Sequence, residues 1–467
     1  MNKKQKVAPY GSWRSPITAE LVARKSVRFG DVAIDSDDIY WVESRPAENG
    51  RSVIVQHTSD GKRVDILPPP FSARSRVHEY GGGAFAVHEG IVFFVNFEDQ
   101  QIYRKDRGSV PYAITQTDGC RYADLIVDKT RNLVMCVQEA HSEAAEEPTN
   151  TVVSFGVERM NSPRILISGN DFYSSPRLSP DGRRLAWLTW NHPNMPWDGT
   201  ELWVADVGKD GDLEHNRKVA GGISESILQP EWSPDGILYF VSDRNGWWKI
   251  YRYIDGEVEI VTELDAEFGV PQWNFGLSTF GFIGRDLLAC AYNQKGIWHL
   301  ATVDLRTLKM SRIETQCSDI THLRTTGEWV VFYGGSPTEG LSVIKHGVST
   351  GETHIIQRSE ESSVDSRYVS RPELIEFDTA NDLKAYGFFY PPRNKNYEKP
   401  SKELPPLIVK THGGPTSCSY TSLDLMIQFW TSRGFAILDV NYGGSTGFGR
   451  PYRERLNGNW GFVDVDD

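Results

Sequence analysis

Short apolar runs recur along the first three quarters of the chain, separated by polar, turn-forming stretches. They read IYWVE from Ile39, IVFFV from Ile91, LVMCV from Leu133, LAWLT from Leu185, LYFVS from Leu238, LLACA from Leu287 and WVVFY from Trp329. Their mean spacing is about 48 residues, close to the repeat length of propeller blades. A second strand-like segment follows each run, from SVIVQ at Ser52 to LSVIK at Leu341. A third follows that, as in RVDIL at Arg63, RILIS at Arg164, EIVTE at Glu259 and THIIQ at Thr353. Ser179-Pro180-Asp181-Gly182 and Ser233-Pro234-Asp235-Gly236 suit tight turns between antiparallel strands, with Pro fixing φ at the second position and Gly closing the turn. No stretch of helical periodicity interrupts the array, which excludes parallel βαβ winding here. A pair of β-sandwiches would also supply many short strands, but it does not require a near-constant period, whereas a propeller does. The pattern therefore predicts an all-β, seven-bladed β-propeller over residues 31–364. Before it lies an N-terminal segment, 1–30, in which Ser15-Pro16 opens a short helix over ITAELVARK, with a suitable N-cap and first-turn proline.

After Val364 the pattern changes. ELIEFDT at Glu373 and KAYGFFYPP at Lys384 read as a hairpin around Asn381-Asp382. A polar loop leads to the strand-like LIVKTH from Leu407, then Gly413-Gly414-Pro415, then the helix-like LDLMIQFWTSRG. Leu423, Met426, Ile427 and Trp430 fall on one face of that helix, and Gly434 stands where a C-terminal cap is expected. The strand FAILDVNY follows from Phe435. Strand, helix and strand with solidly apolar strands predict a doubly wound α/β sheet over residues 365–467.

Composition narrows the function classes. Acidic residues outnumber basic ones 62 to 50, for a net charge of −12, which argues against a nucleic-acid partner. No apolar stretch is long enough to span a bilayer, and the basic N-terminus, MNKKQKVAPYGSWRS, has no apolar core to make it a secretory signal. The expected location is the cytoplasm, without a membrane partner. Five scattered cysteines (Cys120, Cys136, Cys290, Cys317 and Cys418) lack any CxxC spacing and read as reduced thiols. No metal site and no cofactor are expected, and the oligomeric state is left open.

Several motifs carry a family resemblance. HGGP at His412 to Pro415, NYGGSTGFGR at Asn441 to Arg450 and WGFVDVDD at Trp460 to Asp467 together resemble the start of the catalytic domain of the prolyl oligopeptidase family of serine peptidases. The HGGP form is similar to its acylaminoacyl-peptidase and dipeptidyl-aminopeptidase-like branch. EYGGGAF at Glu79, WNHPNMPWDGTELWVAD at Trp190 and QPEWSPDG at Gln229 resemble the propeller of the same branch, so the resemblance covers nearly the whole chain. It implies an α/β-hydrolase domain after the propeller, no cofactor, and a peptide substrate cleaved through an acyl-enzyme. Whether acylated, dipeptidyl or proline-containing peptides are preferred stays open.

Acyl transfer by a serine enzyme needs a nucleophile, a base, an orienting acid and donors aimed at the developing oxyanion. Glycines at a strand end free main-chain N–H groups for the last task, and the resemblance assigns the oxyanion hole to Gly414 with Gly413, in a loop shaped by His412 and Pro415. One G-x-S-x-G match exists, Gly443 to Gly447 around Ser445. The following Gly447, Gly449 and Pro451 start a helix poorly, so Ser445 is not expected to be a nucleophile elbow. The resemblance places the nucleophile, acid and histidine further along than Asp467. The hydrolase domain is therefore expected to be incomplete, with none of the triad present, and the chain by itself inactive. The rival reading is a non-catalytic propeller that serves as a binding platform.

Trp190, His192 and Trp197 sit in a long aromatic loop expected on the face where a propeller meets its catalytic domain, either lining a substrate chamber or simply packing. Glu143, in the acidic stretch Glu139 to Glu147, could face a substrate α-amine or be a solvated loop residue. Gly81-Gly82-Gly83 lacks both the spacing and the following helix of a phosphate loop.

Overall fold

The computed structural model describes residues 5–24, 26–144, 146–158, 162–360 and 364–467. Residues 1–4 of the basic N-terminus, Lys25 at the end of the expected helix and Ala145 in the acidic stretch lie outside them. Residues 28–358 form seven consecutive four-stranded antiparallel sheets, each a simple meander, beginning with Arg28–Asp35 and ending with Thr353–Arg358. Neighbouring sheets pack face to face across a separate apolar core. Tyr40 and Phe94 belong to the core between the first two sheets, Trp187 and Met135 to that between the third and fourth, and Trp248 and Phe280 to that between the fifth and sixth. Trp41 and Val55 of the first sheet pack on Tyr333 and Val343 of the seventh, so the array returns on itself. The hydroxyl of Thr326 donates to the Ser36 carbonyl at 2.6 Å across that seam. The SPDG turns form as the sequence predicts, with Gly182 N–H on the Ser179 carbonyl at 2.8 Å and Gly236 N–H on that of Ser233 at 2.9 Å.

Each sheet has four strands where the apolar pattern shows three. The strand absent from that pattern is the first, and the structure explains why. In the first, third, fourth, fifth and seventh sheets its register is broken by a bulge, between Phe29 and Val32, Ala123 and Ile126, Ser174 and Arg177, Leu228 and Glu231, and Thr321 and Arg324. A bulge interrupts the two-residue alternation. These bulges also deliver Asp31, Asp124, Arg177, Glu231 and Arg324 to one central cavity of about 570 Å³. Asp124 accepts from Arg177 Nη1 at 2.9 Å and from Ser175 N–H at 2.7 Å.

The three glycines at 81–83 have a packing role. Their connection, which enters the second sheet, meets the one entering the sixth: Gly82 bridges Phe275, and Phe275 N–H donates to the Gly81 carbonyl at 2.9 Å. A Cβ would lie 2.2 Å from Ser75 O at Gly81, 2.5 Å from Phe275 O at Gly82 and 2.7 Å from Asp124 Cα at Gly83, and all three have positive φ. Only glycine fits such close backbone approach.

Residues 373–441 build a further sheet in the order Glu373–Asp378, Lys384–Tyr390, Ala436–Asn441, Leu407–Thr411. Its first two strands are the expected hairpin, and its last two are parallel, joined through the helix Leu425–Thr431. Asp424 caps that helix, and Gly434 follows it at φ +97. The helical face differs in one place. Leu423 and Ile427 are buried but Met426 is exposed, while Gln428 and Thr431 turn inward because Gln428 bonds both backbone groups of Ser370. The N-terminal helix is shorter than expected, Ala19–Ala23 with Thr18 as its cap; Ser15 instead bonds Ser432 at 2.7 Å. Residues 5–24 belong with this second sheet, since Lys6–Val7 pairs with Tyr397–Glu398 and Arg433 donates to the Ile17 carbonyl at 2.9 Å. Among the described residues, no helix is long and apolar enough to cross a membrane.

Asp124→Ala should destabilise the ring by about 3 kcal/mol, because it leaves partly buried Arg177 only the more distant carboxylate of Glu231, at 3.9 Å. Urea unfolding followed by tryptophan fluorescence measures this, and a loss below about 1 kcal/mol would show the pair to be dispensable.

Candidate active site

The sheet of residues 373–441 docks on one face of the ring. Its contacts fall on hairpins joining second to third strands, on the start of a first strand and on the connection between the fifth and sixth sheets. Arg450 N–H donates to Gly246 O at 2.8 Å and Leu423 N–H to Ser336 O at 2.8 Å. Asp319 accepts from Thr421 N–H at 3.0 Å and from Ser422 N–H at 2.5 Å. The deepest contact is ionic. Arg450 and Arg453 both reach the buried carboxylate of Asp243, at 2.8 and 2.6 Å, and Glu267 accepts from Gly449 N–H at 3.1 Å.

His412 ends the strand Leu407–Thr411 and starts the glycine turn. Its ring stacks on Tyr442, with centroids 4.6 Å apart, and Tyr442 Oη donates to the His412 carbonyl at 3.1 Å. Nδ1 lies 2.9 Å from the Gly413 carbonyl and Nε2 lies 2.7 Å from Ser445 Oγ. A carbonyl only accepts, so Nδ1 carries the proton and Nε2 accepts from the serine hydroxyl. The Gly413–Gly414 peptide is trans, and in a trans peptide C=O and N–H point in opposite directions. Tying the Gly413 carbonyl to the imidazole therefore turns the Gly414 N–H away from it. Both glycines are exposed, and among the described residues this N–H has no acceptor. Gly414 has φ +131, and a Cβ there would lie 3.1 Å from Thr416 N, so glycine is required.

Ser445 and His412 look at first like a nucleophile and its base, a pairing that sequence reasoning did not foresee. The environment argues otherwise. Ser445 is fully buried, its hydroxyl is spent on His412, and the other imidazole nitrogen meets a carbonyl in place of an orienting carboxylate. Burial lowers the His412 pKa below its ordinary 6.5, keeping the ring neutral.

The remaining candidate residues sit on the docking face but do not all converge. Trp197 is buried against Trp273, with centroids 4.5 Å apart, and its carbonyl lies 3.5 Å from Arg453 Nη2. Trp190 is buried in a stack on Phe172. His192 is exposed and pairs with Asp171 at 3.2 Å. Glu143 is exposed beyond the strand Leu133–Ala140, and among the described residues no hydrogen bond or ion pair joins it to 412–415. Pro415 is half-buried beyond the turn. Sequence reasoning missed Trp273, whose Nε1–H donates to the Thr416 carbonyl at 2.7 Å; it lies between two strands, with no motif to mark it. No cluster suited to a metal occurs among the described residues.

The family model for the prolyl oligopeptidase family matches residues 421–467. A puromycin-hydrolyzing peptidase of Mycobacterium tuberculosis is 38% identical over 99% of this chain and 73% of its own, with a TM-score of 0.92. The chain belongs to the prolyl oligopeptidase family. A second solved structure, a puromycin hydrolase, is 36% identical with the same coverage and a TM-score of 0.92. The acylamino-acid-releasing enzyme of Homo sapiens is 46% identical over 68 residues, 15% of this chain but only 9% of that protein. The match thus spans under a tenth of the curated relative. The neighbours make the ring propeller-like and the 373–441 sheet hydrolase-like.

Because the folded state keeps His412 neutral, it binds fewer protons than the unfolded chain once pH falls below about 6.5, so stability declines as pH drops through that range and is unaffected above it. Ser445→Ala removes the donor that favours the neutral ring. It should raise the His412 titration midpoint and cost about 1 kcal/mol, read by histidine NMR and thermal melts. An unmoved midpoint would contradict the assigned tautomer.

Proposed function

We propose that this chain is the access-restricting propeller and the leading, incomplete catalytic portion of a cytoplasmic serine peptidase that hydrolyses short or N-terminally modified peptides through an acyl-enzyme. The observation that carries this reading is the outward-held, unpaired N–H of Gly414, the geometry an oxyanion donor needs. The seven sheets and seven cores favour one closed seven-bladed propeller over residues 31–364, with 1–30 as a leading segment and 365–467 as hydrolase. The 38% identity to a puromycin-hydrolyzing peptidase supports a substrate with a peptide-like amide bond. Five unpaired cysteines suit a reducing compartment.

In this reading Gly414, with Gly413 beside it, receives the oxyanion, His412 and Pro415 set the loop, and Trp197 and His192 belong to the chamber side of the propeller. Trp190 and Glu143 are weaker candidates, one buried in a stack and the other remote from the turn. Ser445 holds His412 and is not the nucleophile. Loss of a triad serine or histidine costs on the order of a millionfold in turnover, so the 467-residue polypeptide is expected to hydrolyse no peptide and its Ser445 to resist fluorophosphonate labelling. Saturable hydrolysis by the purified chain would overturn this.

The coding sequence read beyond codon 467 tests the wider proposal. A G-x-S-x-G elbow followed by Asp and His supports it, whereas a stop codon there favours the binding-platform reading. In a product carrying that triad, Gly414→Ala should lower kcat about 100-fold with little change in KM, since the added Cβ displaces the donor.

A further inference from the structure

Beside the Gly414 turn, exposed Tyr80 and partly buried Trp273 form an aromatic surface on the propeller. Tyr80 is 60% exposed, and its ring meets Trp273 edge to face with centroids 5.1 Å apart. Both rings are held. Tyr80 rides on a tight turn in which His78 and Glu79 have φ of +52 and +65, Tyr80 N–H donates to His78 O at 2.8 Å, and Gly81 N–H donates to Val77 O at 3.0 Å. Non-glycine residues at positive φ persist where their surroundings over-determine them, and such positions cluster at ligand-binding sites. Trp273 is backed by buried Trp197 and fastened through Nε1 to the Thr416 carbonyl, at 2.7 Å. Thr416 is two residues from Gly414, so chain connectivity keeps the indole nitrogen within about 12 Å of the Gly414 Cα.

We propose that the exposed face of Tyr80, together with Trp273, is a subsite for an aromatic side chain of the peptide substrate. This rests on the peptidase reading and adds a specificity to it. The occupant follows from three features. The two rings carry no charge, so a large apolar group is favoured, and a third ring can pack edge to face against them. The wall is tied to the loop that presents the unpaired Gly414 N–H, so a side chain resting on it belongs to a peptide whose carbonyl reaches that donor. The patch is one exposed ring and one partly buried ring, far below the roughly 800 Å² per partner of a stable protein interface.

Binding alone tests the proposal, without requiring hydrolysis. The 467-residue chain is labelled with 5-fluorotryptophan, the Trp273 signal among its 14 tryptophans is assigned with Trp273→Phe, and the chain is titrated with N-acetyl-phenylalanine amide and N-acetyl-alanine amide. The Trp273 fluorine signal should move saturably, with a Kd about tenfold lower for the phenylalanine ligand. Tyr80→Ala should reduce that preference to within about twofold, and Tyr80→Phe should retain it. Equal affinities in the unmodified chain, a signal unmoved up to the solubility limit, or an unchanged preference in Tyr80→Ala would each overturn the subsite. If the preference appears but the triad-bearing product hydrolyses no peptide, the subsite stands and the peptidase reading falls.

Discussion

The buried carboxylate of Asp243 sets how the two parts of the molecule meet. It lies at the ring's docking face and takes both Arg450 and Arg453. With Glu267 3.9 Å from Arg453, the cluster holds two carboxylates and two guanidiniums; such charges removed from water are tolerated only while they are paired, and that requirement leaves the short helix Arg450–Arg453 little choice of position. The rest follows along the chain. Residues 442–449 run from the end of the sheet to that helix, with Gly449 bonded to Glu267 and Thr446 N–H on Ser417 O. This path buries Ser445 against His412. His412 holds the Gly413 carbonyl, and the planar peptide turns the Gly414 N–H outward. A donor at the surface is thus aimed by a chain of contacts that begins in an ion cluster on the propeller.

Much of this architecture was legible in the sequence, for a physical reason. Strands two and three of each sheet pack between neighbouring sheets as apolar runs, the more exposed fourth strands keep part of that pattern, and the SPDG turns carry their own dihedral preferences. The innermost strands were not legible: in five of the seven sheets a bulge breaks their alternation and turns polar groups toward a shared cavity, and in the second and sixth they are only four residues long. The site divides along the same line. Gly414 stood out because a turn that exposes main-chain N–H needs glycine, and HGGP announces it. The partnership of Ser445 with His412 spans 33 residues, and that of Arg453 with Asp243 spans 210. Such pairings are created by docking, and no local period records them. Met426 shows the limit of the helical wheel: it lies on the apolar face by spacing, yet it is exposed because buried Gln428 fixes the helix by its bonds to Ser370.

The glycine triplet at 81–83 links the middle of the ring to this surface. Its backbone meets Phe275 across the central opening at distances that exclude any side chain, and both connections involved continue toward the docking face. One supplies Tyr80 and the other Trp273. The close approach that bridges the opening therefore also decides where these two rings stand, and Trp273 passes that placement on to Thr416 in the Gly414 loop. Two routes, one ionic through Asp243 and one aromatic through Trp273, converge on the same turn. A single tether would let the turn swing about it. Two hold it in place, which an exposed pair of glycines cannot do for itself.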